Sequence, residues 1–168
     1  MRRPRLAPPG RIPASEESSA QKAARDLGRT SGHQGELGEI AFMLKAASLG
    51  FDLALPYGHI HRYDFIVDSG KNLWRVQVKT TTFMVEGSYQ VCIRRNTRTS
   101  PLAYTASEVD FVAVYIIPEE TWYILPVREV VDRQALRLRP KGHPRASPYD
   151  HYREAWHLLR QPDGLTFG

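Results

Sequence analysis

An aspartate on one predicted strand, and an amide and an ammonium on the next, are the side chains of this sequence best placed to do chemistry. The stretch RYDFIVDSGKNLWRVQVKTT, residues 62–81, alternates apolar and polar residues on both sides of a Gly-containing SGKN loop at 69–72, a pattern typical of a β-hairpin. Closing the hairpin at that loop places Asp64 opposite Gln77, with Cβ atoms roughly 4.5 to 5.5 Å apart. Lys79 lies on the same face as Gln77, because side chains alternate along a strand.

Two interpretations of this face remain open from spacing alone. In the first, it is an ordinary polar strand face, and an Asp64–Lys79 pair would stabilise the fold by less than about 1 kcal/mol. In the second, the Asp64 carboxylate, the Gln77 amide oxygen, the Val78 backbone carbonyl and an acid from elsewhere form the hard oxygen site that Mg²⁺ prefers. Such an ion activates water and stabilises a phosphate oxygen, and Lys79 could orient that water or neutralise the developing negative charge.

The surrounding elements must position this hairpin. Apolar residues at helical spacing predict a helix over 33–48 that stops at Gly50, namely Leu37, Ile40, Ala41, Leu44 and Ala47. Period-two patterns predict strands at 51–55, 63–68, 73–80, 88–94, 110–117 and 121–125. Helices are expected at 127–132 and 148–160, with a basic, Pro-broken loop at 136–147. Together these elements predict an α/β (α+β) fold with a mixed central sheet flanked by helices.

The charge of the chain is concentrated at one end. The 168 residues carry a net charge of +5, but residues 1–30 hold seven Lys or Arg against three Asp or Glu, so only +1 remains for the rest. That segment is rich in Pro and Ser and poor in large apolar residues, which predicts a disordered basic tail. We therefore expect one domain over 31–168.

The sequence also indicates in which compartment of the cell the protein is found. No apolar run reaches the ~18 to 20 residues of a membrane span, and the N-terminal segment has no apolar core of a signal peptide. Cys92 is the single cysteine, so no intramolecular disulfide can form. The sequence predicts a cytoplasmic protein with no membrane association, nucleoid-associated at most.

The ordered set of an acidic helix residue, Asp64, and then Gln77-Val78-Lys79 resembles the PD-(D/E)XK nuclease superfamily, with Gln in place of the usual Asp or Glu. The longer pattern GELGEIAFMLKAASLGFDLALPYG…RYDFIVDSGKNLWRVQVKTT resembles more narrowly the bacterial PD-(D/E)XK endonuclease family akin to cyanobacterial group I intron homing endonucleases. Holliday junction resolvases are more distant relatives. The resemblance covers about residues 33–130.

The resemblance implies a restriction-endonuclease-like core and a site that uses Mg²⁺ or Mn²⁺. It assigns catalytic roles to Glu39, Asp64, Gln77 and Lys79, and metal binding to Asp64, Gln77, Val78 and Glu39. Glu36 lies one turn before Glu39 and is an alternative acid. An amide at position 77 carries no negative charge and should weaken metal affinity, but related homing enzymes also have Gln here.

Substrate contacts are predicted from basic residues. Arg94, Arg95 and Arg98 follow a strand expected to adjoin the strand of Lys79, and with Arg62 they are candidate phosphate contacts; the alternative is a solvated loop. A second basic stretch could follow a DNA backbone or simply solvate a Pro-rich loop: Arg133, Arg137, Arg139, Lys141 and Arg145. Four aromatic residues are interpreted as sheet core, namely Tyr104, Tyr115, Trp122 and Tyr123. His59 and His61 are interpreted as ordinary polar residues.

The resemblance implies an endonuclease that hydrolyses DNA phosphodiester bonds and acts as a homo-oligomer, a dimer or a tetramer, because two strands require two active sites. Two alternatives remain open from the sequence. One is a catalytically inactive DNA-binding module that retains the nuclease fold, and the other is a nuclease that acts on RNA.

Overall fold

The structure is a computed structural model that describes residues 31–58, 60–94, 103–139 and 142–160. Over these residues the chain forms one α-helix, α1 (Ser31–Ser48), and eight strands: β1 (Asp52–Ala54), β2 (Phe65–Asp68), β3 (Leu73–Thr81), β4 (Met84–Val85), β5 (Ser88–Cys92), β6 (Phe111–Ile116), β7 (Thr121–Pro126) and β8 (Ala135–Leu138). Short 3₁₀ helices cover Ile117–Glu119, Val127–Glu129, Asp150–Tyr152 and Trp156–Arg160. The predicted tail at 1–30 lies outside the described residues.

A five-stranded mixed sheet forms the centre of the fold, with strand order β1-β2-β3-β6-β7. β3 and β6 run parallel, whereas the other neighbours are antiparallel. The β2–β3 hairpin closes as predicted, with Asp68 opposite Leu73 and Phe65 opposite Val76. The mixed sheet and the hairpin register predicted from the sequence are therefore confirmed.

Helix α1 packs on the sheet through residues spaced four apart. Gly38, Phe42 and Ala46 are buried, and the Phe42 ring stacks on Phe65 with ring centroids 5.2 Å apart. The helix ends as predicted, and Gly50 follows it with a φ of 79°, the left-handed conformation that glycine adopts readily.

The apolar stripe that predicted this helix does not face the core throughout. Ile40 and Leu44 are 58% and 74% exposed. The helix is apolar on more than one side, so periodicity identified the element but not its buried face.

A second, three-stranded sheet has the order β4-β5-β8, and it corrects one prediction and qualifies another. The segment at 136–147 was expected to be a loop, yet Leu136 and Leu138 are buried because β8 pairs with β5. Strand β5, which was expected to adjoin β3, does contact its end, where the Thr81 hydroxyl donates to the Gln90 carbonyl over 2.6 Å, but its paired strands are β4 and β8.

The C-terminal part of the described chain covers the outer edge of β7. The Glu154 backbone N–H donates to the Trp122 carbonyl over 2.8 Å, and the Trp122 N–H donates to the Glu154 carboxylate over 2.7 Å. The predicted helix at 148–160 is wrong: Glu154 has a φ of 50°, which separates two short 3₁₀ helices. The predicted helix at 127–132 is only the 3₁₀ turn Val127–Glu129.

In the parts of the chain described, no helix has the length and apolar character needed to span a membrane.

Candidate active site

The Asp64 carboxylate is fixed by the strand that it faces. Asp64 directly precedes β2, and its backbone N–H donates to the Val76 carbonyl over 2.9 Å. Its Oδ2 atom accepts hydrogen bonds from the Val78 N–H, over 2.7 Å, and from the Gln77 side-chain amide. The predicted meeting of Asp64 and Gln77 across the hairpin is therefore present in the structure.

The Gln77 amide nitrogen contacts two oxygen atoms in this arrangement. The Gln77 Nε2 atom donates to Asp64 Oδ2 and also to the Val78 backbone oxygen, 3.1 Å away. A half-turn of the amide would exchange its nitrogen for Oε1 and bring a third oxygen to the same place. This donor set of a carboxylate, an amide and a backbone carbonyl fits a hard divalent cation that retains several waters.

Burial disfavours the ionised form of Asp64, which a nearby positive charge would stabilise. Desolvation raises the pKa of Asp64, and the Val78 N–H, the Lys79 ammonium and the Gln77 amide each act in the opposite direction. Because the net shift is upward, these three partners do not fully replace the lost hydration of the carboxylate. A bound cation would supply the remaining compensation.

Glu39 on α1 joins the same electrostatic cluster. Its pKa is raised by burial, then by the negative charges of Asp64 and Glu36, while Lys79 lowers it. Glu39 is half-buried and Glu36 is exposed. The structure thus brings the predicted Glu39, Asp64 and Lys79 together, with Glu36 acting on Glu39 through its charge.

A close approach of α1 to β3 positions Glu39. A Cβ atom placed on the neighbouring Gly38 would lie 2.0 Å from the Thr80 hydroxyl oxygen and 3.2 Å from its Cβ. Thr80 in turn directly follows Lys79. A larger residue at position 38 would force Thr80 or α1 to shift, so Gly38 helps to set the distance between the helix that carries the acid and the strand that carries the lysine.

Tyr104 is a site residue that sequence reasoning missed. It was predicted to be core, and it is only 3% exposed, but its ring centroid also lies 5.4 Å from the Lys79 Nζ atom. A cation over an aromatic face is attracted by the ring quadrupole. No spacing pattern could have found this pair, because Tyr104 reaches the site from a loop before β6.

The four arginines predicted to contact phosphate are only partly described by the structure. Arg62 forms an ion pair with Glu108 at 3.2 Å, and Arg94 is half-buried just beyond β5. Arg95 and Arg98 lie outside the described residues, as does His59. The His61 ring hydrogen-bonds to the Tyr57 carbonyl over 2.9 Å, as expected of an ordinary polar residue.

The predicted donor set combines two carboxylates with an amide and a backbone carbonyl. Over the described ranges, no group of three or more His, Cys, Asp or Glu side chains is placed to hold a metal. Glu39 and Asp64 supply two acids, so the Gln77 amide and the Val78 carbonyl would complete the donor set. An oxygen set of this composition suits Mg²⁺ or Mn²⁺ better than a transition metal that prefers nitrogen or sulfur.

Comparison with known proteins agrees with this geometry. The family model for PD-(D/E)XK endonucleases matches residues 30–159, which is most of the chain, so the chain belongs to the PD-(D/E)XK endonuclease family. The solved structure of the bacterial homing endonuclease I-Ssp6803I is 28% identical in sequence to this chain, with a TM-score of 0.71 over 80% of this chain and 95% of the other. The family and the restriction-endonuclease-like, mixed-sheet fold predicted from the sequence are therefore confirmed.

A second solved structure is much less similar. This crystal structure of MepB is 14% identical in sequence, with a TM-score of 0.39, over 63% of this chain and 83% of the other. A TM-score this low does not indicate a shared fold. A comparison with curated proteins found no match.

Proposed function

We propose that this endonuclease hydrolyses phosphodiester bonds of DNA with a divalent cation, Mg²⁺ or Mn²⁺, held by Asp64, Gln77, Val78 and Glu39. The observation that carries the proposal is the contact of the Gln77 amide nitrogen with both Asp64 Oδ2 and the Val78 carbonyl, which places a carboxylate, an amide and a backbone carbonyl side by side. DNA as the substrate is supported by family membership and by the likeness to a homing endonuclease.

The side chains divide the chemistry between binding and charge control. When bound, the cation supplies an activated water and stabilises negative charge on a phosphate oxygen. Asp64 and Glu39 hold negative charge at the metal position, and their raised pKa values make cation binding weaken as protons compete at lower pH. The Lys79 ammonium lowers the pKa of both acids by its charge, and it would donate a hydrogen bond to the attacking water or to a phosphate oxygen.

The protein is further proposed to act in the cytoplasm as a homo-oligomer, a dimer or a tetramer. A duplex has two strands of opposite polarity, and one site of this kind cuts one strand. Arg62, Arg94, Arg95 and Arg98 remain the predicted phosphate contacts of the site.

The test is cleavage of a supercoiled plasmid and of a four-way junction by the purified full chain, with Mg²⁺ or Mn²⁺ against EDTA. Asp64→Asn and Lys79→Met remove one site charge each. Asp52→Asn on β1 and Lys71→Met in the hairpin loop are matched controls, because both residues are exposed and outside the site. We expect metal-dependent cleavage that the two site variants lose and the two controls retain.

Binding measured in parallel separates the alternatives. A wild-type protein that binds DNA in a salt-dependent way but cuts no DNA substrate with either metal would contradict the proposal and favour the inactive DNA-binding module. Metal-dependent cleavage of RNA but not of DNA would instead identify an RNA nuclease.

A further inference from the structure

A cavity of about 570 Å³ lies between the β4–β5 turn, strand β8 and the loop that follows it. The charged residues of its wall are mostly basic, and it shares no residue with the active site described above. The lining includes Arg137, Arg139, Arg145, His143, Glu86 and Ser88. Part of the second basic stretch of the sequence is thus gathered around one concave surface.

The charge of this cavity favours an anion. The lining includes three arginines and one carboxylate, Glu86. The ion pair between Glu86 and Arg137 is long at 3.6 Å, with both side chains more than half exposed. A pair of that kind contributes little energy and is readily exchanged for another partner. The described side-chain contact of Arg139, to the Ala146 carbonyl, uses one of its five N–H donors.

The walls of the cavity are held by the fold. Ser147 is buried and its N–H donates to the Asp150 carboxylate over 2.7 Å. Arg153 donates to the Arg139 carbonyl over 2.8 Å, which anchors the end of β8. The backbone that carries the arginines is therefore held in place, and guanidinium groups bind phosphate oxygens with paired hydrogen bonds.

The β4–β5 turn places the one acid in an unfavourable backbone conformation. Glu86 and Gly87 have φ values of 49° and 72°, as in the two-residue hairpin turn that prefers Asn-Gly. An asparagine at position 86 would suit the turn better and would remove the single negative charge from the lining residues named above. This position therefore offers a variant that should strengthen, rather than weaken, anion binding.

We propose that this cavity binds a phosphate group, and that the phosphate belongs to the backbone of the DNA substrate at a distance from the cleaved bond. The choice of DNA as the source rests on the proposed function, whereas phosphate binding itself rests on the cavity alone. The contact positions the nucleic acid and reads no bases. A free phosphate or a nucleotide offers the same chemistry and is the source that the test must separate.

The test measures binding of the full chain to a fluorescent DNA duplex in EDTA, over a series of salt concentrations, so that no cleavage is required. The double variant Arg137→Gln/Arg145→Gln should bind more weakly, with the slope of log K against log salt reduced by about 0.9 for each DNA phosphate that the protein no longer neutralises. Glu86→Asn should bind more tightly. Arg133→Gln is the control, since Arg133 is exposed in the same basic stretch but does not line the cavity.

A second measurement identifies the source of the phosphate. Thermal unfolding is recorded with and without inorganic phosphate or a nucleoside diphosphate. If the double variant binds DNA normally but loses a stabilisation by phosphate that wild type shows, the cavity takes a free phosphate group. If it loses neither property, or if Arg133→Gln weakens DNA binding equally, the cavity is not a phosphate site and the proposal is overturned. Loss of cleavage alone would bear on the proposed function and not on this cavity.

Discussion

Replacing Gly38 by alanine should impair catalysis while leaving the protein folded. The new Cβ would lie 2.0 Å from the Thr80 hydroxyl oxygen, whereas real Cβ contacts are essentially never below 3.0 Å, so α1 or Thr80 must move by about 1 Å. Overpacking of this kind costs about 1 to 3 kcal/mol, and the better helix propensity of alanine offsets about 1 kcal/mol of it. We expect a net destabilisation of roughly 0 to 2 kcal/mol.

The effect on cleavage should be larger than the effect on stability. A displacement of about 1 Å in a reacting group can cost about 100-fold in rate, and Glu39 directly follows residue 38. The assay compares plasmid cleavage rates and thermal unfolding of Gly38→Ala and Gly35→Ala. Gly35 is one turn earlier on α1, and a Cβ there meets nothing within 4 Å, so its substitution should preserve activity and stabilise the helix.

A substitution of Thr80 tests whether its contact with residue 38 causes the loss of activity. Thr80→Ala removes a hydroxyl that is buried with no hydrogen-bond partner among the described residues, and it opens the space that a methyl group on residue 38 needs. The double variant Gly38→Ala/Thr80→Ala should recover much of the lost activity. Wild-type cleavage by Gly38→Ala, or failure of the Thr80 change to restore a folded but inactive Gly38→Ala, would refute the spacing argument.

Three further predictions concern the site itself. Gln77→Glu should tighten Mg²⁺ binding but lower the metal-free melting temperature, because a third acceptor replaces the amide donor between Asp64 and Val78; unchanged affinity in a metal titration would contradict this. Asp64→Asn should abolish cleavage without loss of stability at pH 7. Because the pKa of Asp64 is raised in the folded state, the folded state binds more protons than the unfolded state at pH values just above the ordinary carboxyl pKa. Wild-type stability therefore falls as pH rises through that window, whereas the stability of Asp64→Asn should not. Melting temperatures of the two proteins that change equally with pH would contradict this prediction. Tyr104→Leu should lower kcat at unchanged duplex affinity, while Tyr104→Phe, which keeps the ring beneath Lys79, should retain activity; equal losses in the two variants would show that the ring face is not the cause.

The hairpin was predictable because its determinants are local. Alternation along 73–80 and the Gly-containing loop fix the register, and the register alone brings Asp64 to Gln77. The strand at Ala135–Leu138 carries the same signal, since Leu136 and Leu138 alternate with exposed residues. Its arginines and the nearby prolines led to the loop prediction, which pairing with β5 overrides.

Other features depend on contacts between distant parts of the chain. The closeness of Gly38 to Thr80 and of Tyr104 to Lys79 follows from how the helix and a loop dock on the sheet. The C-terminal helix prediction failed for a similar reason: Glu154 turns out of the helical conformation to pair with the edge of β7. Sequence pattern located the chemistry of the hairpin but could not locate what packs against it.

The reactive groups lie on or beside the middle strand of the sheet. β3 is third of five strands and is paired on both sides, so its amide hydrogens should exchange with solvent only in the largest unfolding events of the chain. Gln77 and Lys79 should therefore not be displaced by the local unfolding that inactivates many enzymes below their melting temperature. On heating, Gln77 and Lys79 should therefore keep their places until the sheet itself unfolds.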